Sequence, residues 1–218
     1  MDDQPGRSPP RYVAVEGPIG VGKTTLARML AERWNARLVL EEFEDNPFLR
    51  EFYDDPKRVA FQTQAYFLVA RYKQQELLRQ QELFARALVS DYLFAKDRIF
   101  AFMNLNEPEL QLYEKIYELL QPRLLKPDLT VFLQARPEVL RKRMRKRGRD
   151  FERSLRMDYL ENLMRAYNQF FYHYDETPLV IFETSDIDFA ENPRDFENLL
   201  ERIGTISEGR HEFVQQPA

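Results

Sequence analysis

Five short apolar runs punctuate the chain: Tyr12–Glu16 (YVAVE), Arg37–Glu41 (RLVLE), Ala87–Asp91 (ALVSD), Leu129–Gln134 (LTVFLQ) and Leu179–Glu183 (LVIFE). Each is nearly continuous in apolar content and bounded by polar residues, the pattern of parallel strands covered on both faces. Between them apolar residues recur at helical spacing, which predicts helices at about 23–35, 58–84, 96–104, 108–121, 137–147, 154–174 and 194–203. Pro47, Pro56, Pro108, Pro122, Pro137 and Pro193 fall at or near the expected helix edges, where a missing N–H is tolerated. The alternation predicts an α/β fold of three layers, a five-stranded parallel sheet with helices on both faces.

Residues 1–10, with three Pro and one Gly, and residues 204–218 lack this patterning. They are expected as a mobile N-terminal tail and a frayed C-terminal one, leaving 11–203 as a single domain.

Composition narrows the chemistry. With 44% apolar residues, 17 Phe and 11 Tyr among 218, the chain can build a core. The lack of Cys excludes disulfides, thiolate-bound zinc or iron–sulfur groups, and thiol catalysis. Two histidines, His173 and His211, leave little scope for a His-based metal site or a Ser-His-Asp triad. The 32 Lys+Arg against 36 Asp+Glu give a net charge of −4, which argues against a general nucleic-acid binder. No apolar run approaches the roughly 18–20 residues that span a bilayer. The polar start MDDQPGRSPP lacks the apolar segment of a secretory leader, so a cytoplasmic location without membrane contact is expected.

Directly after the first run stands Gly17-Pro18-Ile19-Gly20-Val21-Gly22-Lys23-Thr24, followed by the helical TLARMLAERW. This is GxxxxGK[ST] in the strand–loop–helix setting that the pattern requires. Glycines let backbone N–H groups curl around an anion, and the following helix turns its positive end toward it. Lys23 can reach the β- and γ-phosphates, Thr24 can bind Mg²⁺, and Gly17, Gly20, Gly22 and Thr25 complete the cradle for ATP. The loop does not name the acceptor. No NKxD sequence occurs, nor a DxxG downstream of the loop, which argues against a switch GTPase.

Ligands of open α/β sheets collect beyond the carboxyl ends of the strands. There the second run ends in Glu41-Glu42-Phe43-Glu44-Asp45 and the third in Asp91. Phosphorylating a sugar hydroxyl needs a base and a carboxylate for Mg²⁺, tasks that suit Glu41 and Asp91 respectively. Read alone, the run 41–45 is equally a solvated acidic turn.

Glu41 with Asn46-Pro47-Phe48-Leu49, Phe52-Tyr53, Asp55-Pro56 and Phe61-x-x-Gln64-x-x-Phe67 resembles the deoxynucleoside kinase family. The likeness continues through Asp91-x5-Asp97-Arg98-x-Phe100 and an Arg-rich segment to Asp186-x-Asp188-Phe189, nearly the whole chain. The resemblance implies a phosphate-loop kinase fold and a homodimer through the helices around 58–84 and 108–121. It implies that Glu41 is the general base for the nucleoside 5′-OH and that Tyr53 holds the 3′-OH. It further implies that Gln64, beside Phe67, reads the base edge and that Arg71 and Asp97 form a base-reading pair. Gln64 and Arg71 lie two turns apart on one helix face, about 10 Å along the axis, with Leu68 between them. A Gln and an Arg on so aromatic a face need a buried partner or a ligand.

The chain departs from the family at Tyr92, where an arginine usually follows the acidic residue of the third strand. Lys96 or a lid arginine are the available substitutes. Ala101 occupies the position of a base-stacking Phe in some relatives, with Phe100 and Phe102 on either side.

Residues 141–149 (RKRMRKRGR) hold seven cations, and Gly148 is placed to end their helix. They read as a lid over the transferred phosphate, spanning about 141–153. The resemblance implies that Arg143, Arg147 and Arg149 contact phosphate, that Arg145 lies with them on the nucleotide, and that Glu152 closes onto the sugar. It also places 183–190, with Asp186, Asp188 and Phe189, around the adenine, through backbone groups. Trp34 reads as core and His173 as structural.

The function expected is transfer of the ATP γ-phosphate to a deoxynucleoside, with purines favoured over deoxycytidine and thymidine disfavoured. The enzyme rival is a nucleoside monophosphate kinase of thymidylate kinase type. It needs a cationic clamp, where this chain offers Glu41, Glu42 and Glu44. The rival from another class is a nucleic-acid-associated ATPase that uses the 141–149 cluster.

Overall fold

The computed structural model describes residues 10–42, 45–81, 87–149 and 155–214. Strands β1 (Tyr12–Glu16), β2 (Arg37–Val39), β3 (Leu88–Ser90), β4 (Leu129–Gln134), β5 (Leu179–Glu183) and β6 (Arg210–Val214) form one sheet in the order β2-β3-β1-β4-β5-β6. Every pairing is parallel. The helices are α1 (Lys23–Arg33), α2 (Leu49–Asp54), α3 (Pro56–Gln81), α4 (Asp97–Asn104), α5 (Glu107–Leu120), α6 (Pro137–Arg147), α7 (Met157–Tyr172) and α8 (Pro193–Thr205).

Three layers follow from side-chain alternation along the strands. On β1, Val13 and Val15 face a cluster with Leu26 and Leu30 of α1, Leu140 of α6 and Leu199 of α8. Tyr12 and Ala14 face the opposite cluster, with Ile99 of α4 and Leu163, Tyr167 and Phe171 of α7. Each fully buried leucine among these contributes about 1.5–3 kcal/mol. A third cluster, including Leu68, Ala101, Tyr113 and Tyr117, packs α3, α4 and α5 together. Trp34 is half-buried against the first cluster, as a core residue should be. His173 caps the end of α7 at the surface.

The sheet has six strands where the apolar pattern predicted five. β6 lies in the stretch expected to be frayed, and its sequence RHEFV offers no apolar run to read. An edge strand needs only its backbone ladder: β6 pairs from Leu179↔Arg210 to Glu183↔Val214 and rests Phe213 on Phe182, with ring centroids 5.5 Å apart. Residues 1–9 and 215–218 of the expected tails lie outside the described residues. Helix α2 was likewise unforeseen. Buried Asn46 sets its entry, accepting from Phe48 N at 3.0 Å and donating to Thr63 O at 3.1 Å.

Several boundaries bear on the site. β2 stops at Val39 and β3 at Ser90, so Glu41 and Asp91 stand just past the strand ends rather than within them. Helix α3 carries a break at Val59 (φ −130) and then runs straight through Gln64 and Arg71. α5 starts from a capping box between Asn106 and Glu109, and α6 ends on Gly148 in the left-handed conformation.

Candidate active site

The loop between β1 and α1 turns on three glycines with positive φ. At Gly17 (φ 152) a Cβ would stand 2.4 Å from the Leu133 carbonyl oxygen, so no larger residue fits there. α1 begins without a side-chain cap and without an acidic residue in its first turn. Its first N–H groups and its positive end are therefore left for an anion. Lys23 Nζ donates to the Gly17 and Pro18 carbonyls at 2.7 and 3.2 Å. Burial, reinforced by the neighbouring charge of Lys96, pushes the Lys23 ammonium down to about 8.

Asp91 ties three elements together. One oxygen accepts from Thr24 Oγ1 at 2.6 Å and the other from the backbone N–H of Glu41 at 2.7 Å. Thr24 and Asp91 thus offer hard oxygen donors beside the cradle, the type Mg²⁺ takes when it is also held by phosphates.

Glu41 meets two cations. Arg71 donates to Oε1 from Nε at 2.9 Å and from Nη2 at 2.5 Å, and Lys96 Nζ lies 2.6 Å from Oε2. Burial raises the pKa of Glu41, but Lys96 and Arg71 more than offset it and hold the carboxyl below the ordinary range. Arg71 also pairs with Asp97 through Nη1, and its guanidinium lies over the Phe67 ring, 4.9 Å from the centroid. Lys96 is anchored from behind by Glu16, at 3.8 Å.

Glu16 escaped the sequence reading. It is fully buried and accepts from Gly17 N (2.8 Å), Leu93 N (2.8 Å) and Tyr167 Oη (3.1 Å), which fixes the start of the phosphate loop. A carboxylate closing the apolar run YVAV directly before the loop was the available sign.

These groups face one cleft of about 950 Å³, counted with its open mouth. Gly20, Lys23, Thr24, Glu41, Asp91, Lys96, Arg147 and Arg149 line its polar end, and Tyr53, Gln64, Phe67, Arg71 and Phe100 line the rest. Leu49, Phe52, Thr63, Asn104 and Tyr159 line it too, though the sequence had not singled them out as site residues. Asn104 donates to Phe100 O at 2.9 Å. Burial pushes the Tyr159 phenol up to about 12, with a hydrogen bond to Asn104 working the other way. Helical spacing could have found Asn104, one turn beyond Phe100, once the facing side of α4 was known.

Other expected contacts do not reach the cleft. Asp97 is fully enclosed behind the wall, where it accepts from Tyr113 Oη at 2.8 Å and its carbonyl accepts from Gln64 Nε2 at 2.8 Å. It braces Gln64 and Arg71 instead of facing a ligand. Arg143 uses its two terminal nitrogens on Val21 O, Thr184 Oγ1, Thr184 O and Ile187 O at 2.7–3.1 Å. It therefore clamps the phosphate loop to the 184–187 loop. Arg145 and Thr25 are exposed away from the lining. Asp186 forms a two-pronged surface pair with Arg136, and Asp188 accepts from the backbone of Glu191. Phe189 is buried, its ring tip 2.8 Å from where a Cβ on Gly22 would stand, so it supports the loop from beneath. Glu152 lies outside the described residues.

The two departures resolve geometrically. Tyr92 is fully enclosed, and the cation that faces Glu41 from this segment is Lys96, four residues on. Ala101 is buried in the α3–α4–α5 cluster and Phe102 is exposed, leaving Phe100 as the aromatic on the cleft.

The sequence profile of the deoxynucleoside kinase family matches residues 13–208. The chain is 36% identical to a deoxyguanosine kinase of Bacillus subtilis over 197 residues, 88% of this chain and 95% of that one. It is 39% identical to a deoxyadenosine kinase of Dictyostelium discoideum over 165 residues, 73% of this chain and 66% of that protein. Its fold is similar to that of a deoxyadenosine kinase from M. mycoides whose structure has the products dCMP and a flexible dCDP bound. That likeness has a TM-score of 0.75 at 25% identity and covers 89% of this chain and all of the other.

Proposed function

The chain belongs to the deoxynucleoside kinase family, and on that footing we propose that it moves the γ-phosphate of ATP to the 5′-OH of a purine deoxynucleoside, with deoxycytidine second. One observation carries this reading: Glu41 shares one cleft with the phosphate cradle, and Arg71 is the one cation among the side chains of α2 and α3 that line it, the others being neutral, such as Leu49, Phe52 and Gln64. An uncharged nucleoside suits that wall. A monophosphate acceptor would need a cationic clamp there, so the thymidylate kinase alternative loses its support. The inward turn of Arg143 likewise weakens the nucleic-acid ATPase reading, since it removes a cation from the surface patch.

In this mechanism Glu41 accepts the proton leaving the 5′-oxygen as that oxygen attacks the γ-phosphorus. Lys23, Lys96, Arg147 and Arg149 neutralise the charge that spreads over the phosphoryl oxygens. Lys96 supplies the cation that relatives draw from the position of Tyr92. Tyr53 holds the sugar 3′-OH, Gln64 reads the base edge with Arg71 beside it, and Phe67 and Phe100 cover the base. Thr24 and Asp91 would hold Mg²⁺, which when bound supplies further charge neutralisation on the phosphates.

The exposed apolar side chains Val69 and Leu77 on α3, and Leu112 and Leu119 on α5, support a homodimer through these helices. Among the described residues no helix is long and apolar enough to cross a membrane, in keeping with work in the cytoplasm. The test is a phosphorylation panel of the four deoxynucleosides with the corresponding monophosphates as control acceptors. Turnover of deoxyadenosine and deoxyguanosine, with monophosphates inert, is the expected result; preference for thymidine or for a monophosphate would refute it.

A further inference from the structure

Arg71 grips two carboxylates at once. Two of its nitrogens are spent on Oε1 of Glu41 and a third on Asp97. The Asp97 end is fixed, because that residue is fully enclosed and held by Tyr113. The other oxygen of Glu41 belongs to Lys96. Both oxygens of the acceptor carboxylate are thus engaged by cations, which makes it a poor partner for a sugar hydroxyl. Arg71 nevertheless lines the cleft two turns along α3 from Gln64, where the base edge is read. One guanidinium therefore lies within reach of both ends of the substrate, with its donors turned toward Glu41.

We propose that Arg71 is a positioning residue that makes the nucleobase itself release Glu41 for catalysis. A ring nitrogen or carbonyl on the base gives Nη2 an alternative acceptor, and the guanidinium pivots on its Asp97 contact. Oε1 of Glu41 is then open to the 5′-hydroxyl. The inference rests on the reading of Glu41 as the base. Its consequence is that contacts to the base raise the rate of the chemical step and not only affinity, a use of remote binding energy. Losing one charge-assisted hydrogen-bond exchange should slow that step by about 10–100-fold.

The experiment measures single-turnover phosphoryl transfer at saturation, so that product release does not enter. It compares deoxyadenosine with the deoxyriboside of methylindole, which keeps the purine outline but offers no ring-nitrogen acceptor. The expected result is a rate about 10–100-fold lower for the methylindole nucleoside in the native enzyme. That gap should shrink toward one in Arg71→Lys, because an ammonium cannot bridge two carboxylates. The double variant Arg71→Gln/Asp97→Asn, which leaves neither buried charge alone, should close the gap as well and guards against misfolding of the single one. Equal rates for the two nucleosides, with only KM raised, would overturn the proposal. So would a gap that persists undiminished in both variants, which would assign it to poor seating of the analogue. If the native enzyme phosphorylates no deoxynucleoside, the parent reading falls instead.

Discussion

Lys96 sets its ammonium 2.6 Å from Oε2 of Glu41, although the two residues are separated by 55 positions in the chain. The short 3-10 turn Phe94–Lys96 after β3 carries that lysine into the cleft, while Tyr92 turns into the interior. Lys96 is 3% exposed, so its charge is stable there only because Glu41 and Glu16 flank it. The pair is therefore structural and, on the proposed mechanism, catalytic as well, and the two roles can be separated by mutation.

Glu41→Gln should lower turnover by about 10²–10⁴ while leaving deoxynucleoside affinity nearly unchanged, since only the proton acceptor is lost. Lys96 keeps Glu16 and Arg71 keeps Asp97 in that variant, so the fold should survive. Steady-state kinetics beside a thermal melt would check both halves. Near-normal turnover would remove Glu41 from the mechanism.

Lys23 gives a prediction about pH. Its ammonium is pushed down to about 8, so part of the population is neutral above that pH in the free protein. A polyphosphate favours the charged form and raises the pKa, so ATP binding should take up protons above about pH 8. ATP affinity should correspondingly weaken as the pH rises beyond that point. Calorimetry at pH 8.5 in buffers of different ionisation enthalpy would register the uptake, and identical heats in all buffers would contradict it.

Arg143→Ala should destabilise the protein by roughly 1.5–3 kcal/mol, because its contacts join two loops through charge-assisted hydrogen bonds. Lysine should restore less than half of this, having no planar fork to span Val21 and Thr184. Urea unfolding of the three proteins measures the order. If alanine and native enzyme unfold at one concentration, the clamp has no energetic weight.

Gly17→Ala should cost about 1–3 kcal/mol or more, since it adds a Cβ 2.4 Å from the Leu133 carbonyl in a left-handed backbone. Because the same turn shapes the phosphate cradle, ATP protection against thermal unfolding should vanish together with the stability. A variant that still gains its full thermal shift from ATP would show the cradle tolerating the change.

Much of this architecture was readable beforehand, for identifiable reasons. β1, β4 and β5 are buried through nearly their whole length, so hydrophobicity alone marks their ends correctly. β6 is held by backbone pairing and a single aromatic contact, which leaves no comparable mark. Residues named from the phosphate loop (Lys23, Thr24), from the strand ends (Glu41, Asp91) and from the family resemblance (Tyr53, Gln64) line one cleft. The roles of Glu16, Asp97 and Arg143 depend on partners 77, 33 and 122 positions away, and such distances carry no periodic trace. The wall residues Asn104 and Tyr159 belong to the packing of α4 against α7, which only the folded chain displays.

The succession Lys96–Glu41–Arg71–Asp97–Tyr113 also limits how this enzyme can diversify. Removing the charge of Arg71 strands that of buried Asp97, and removing that of Lys96 strands that of buried Glu16, a loss of several kcal/mol in a protein with few to spare, whereas loss of Glu41 leaves each cation a second carboxylate. Single-site libraries at Arg71 and Lys96 should therefore return mostly collapsed clones. New nucleobase preferences are more accessible to libraries that vary adjacent members in concert, or that leave the row intact and recast the neutral positions Leu49, Thr63 and Asn104.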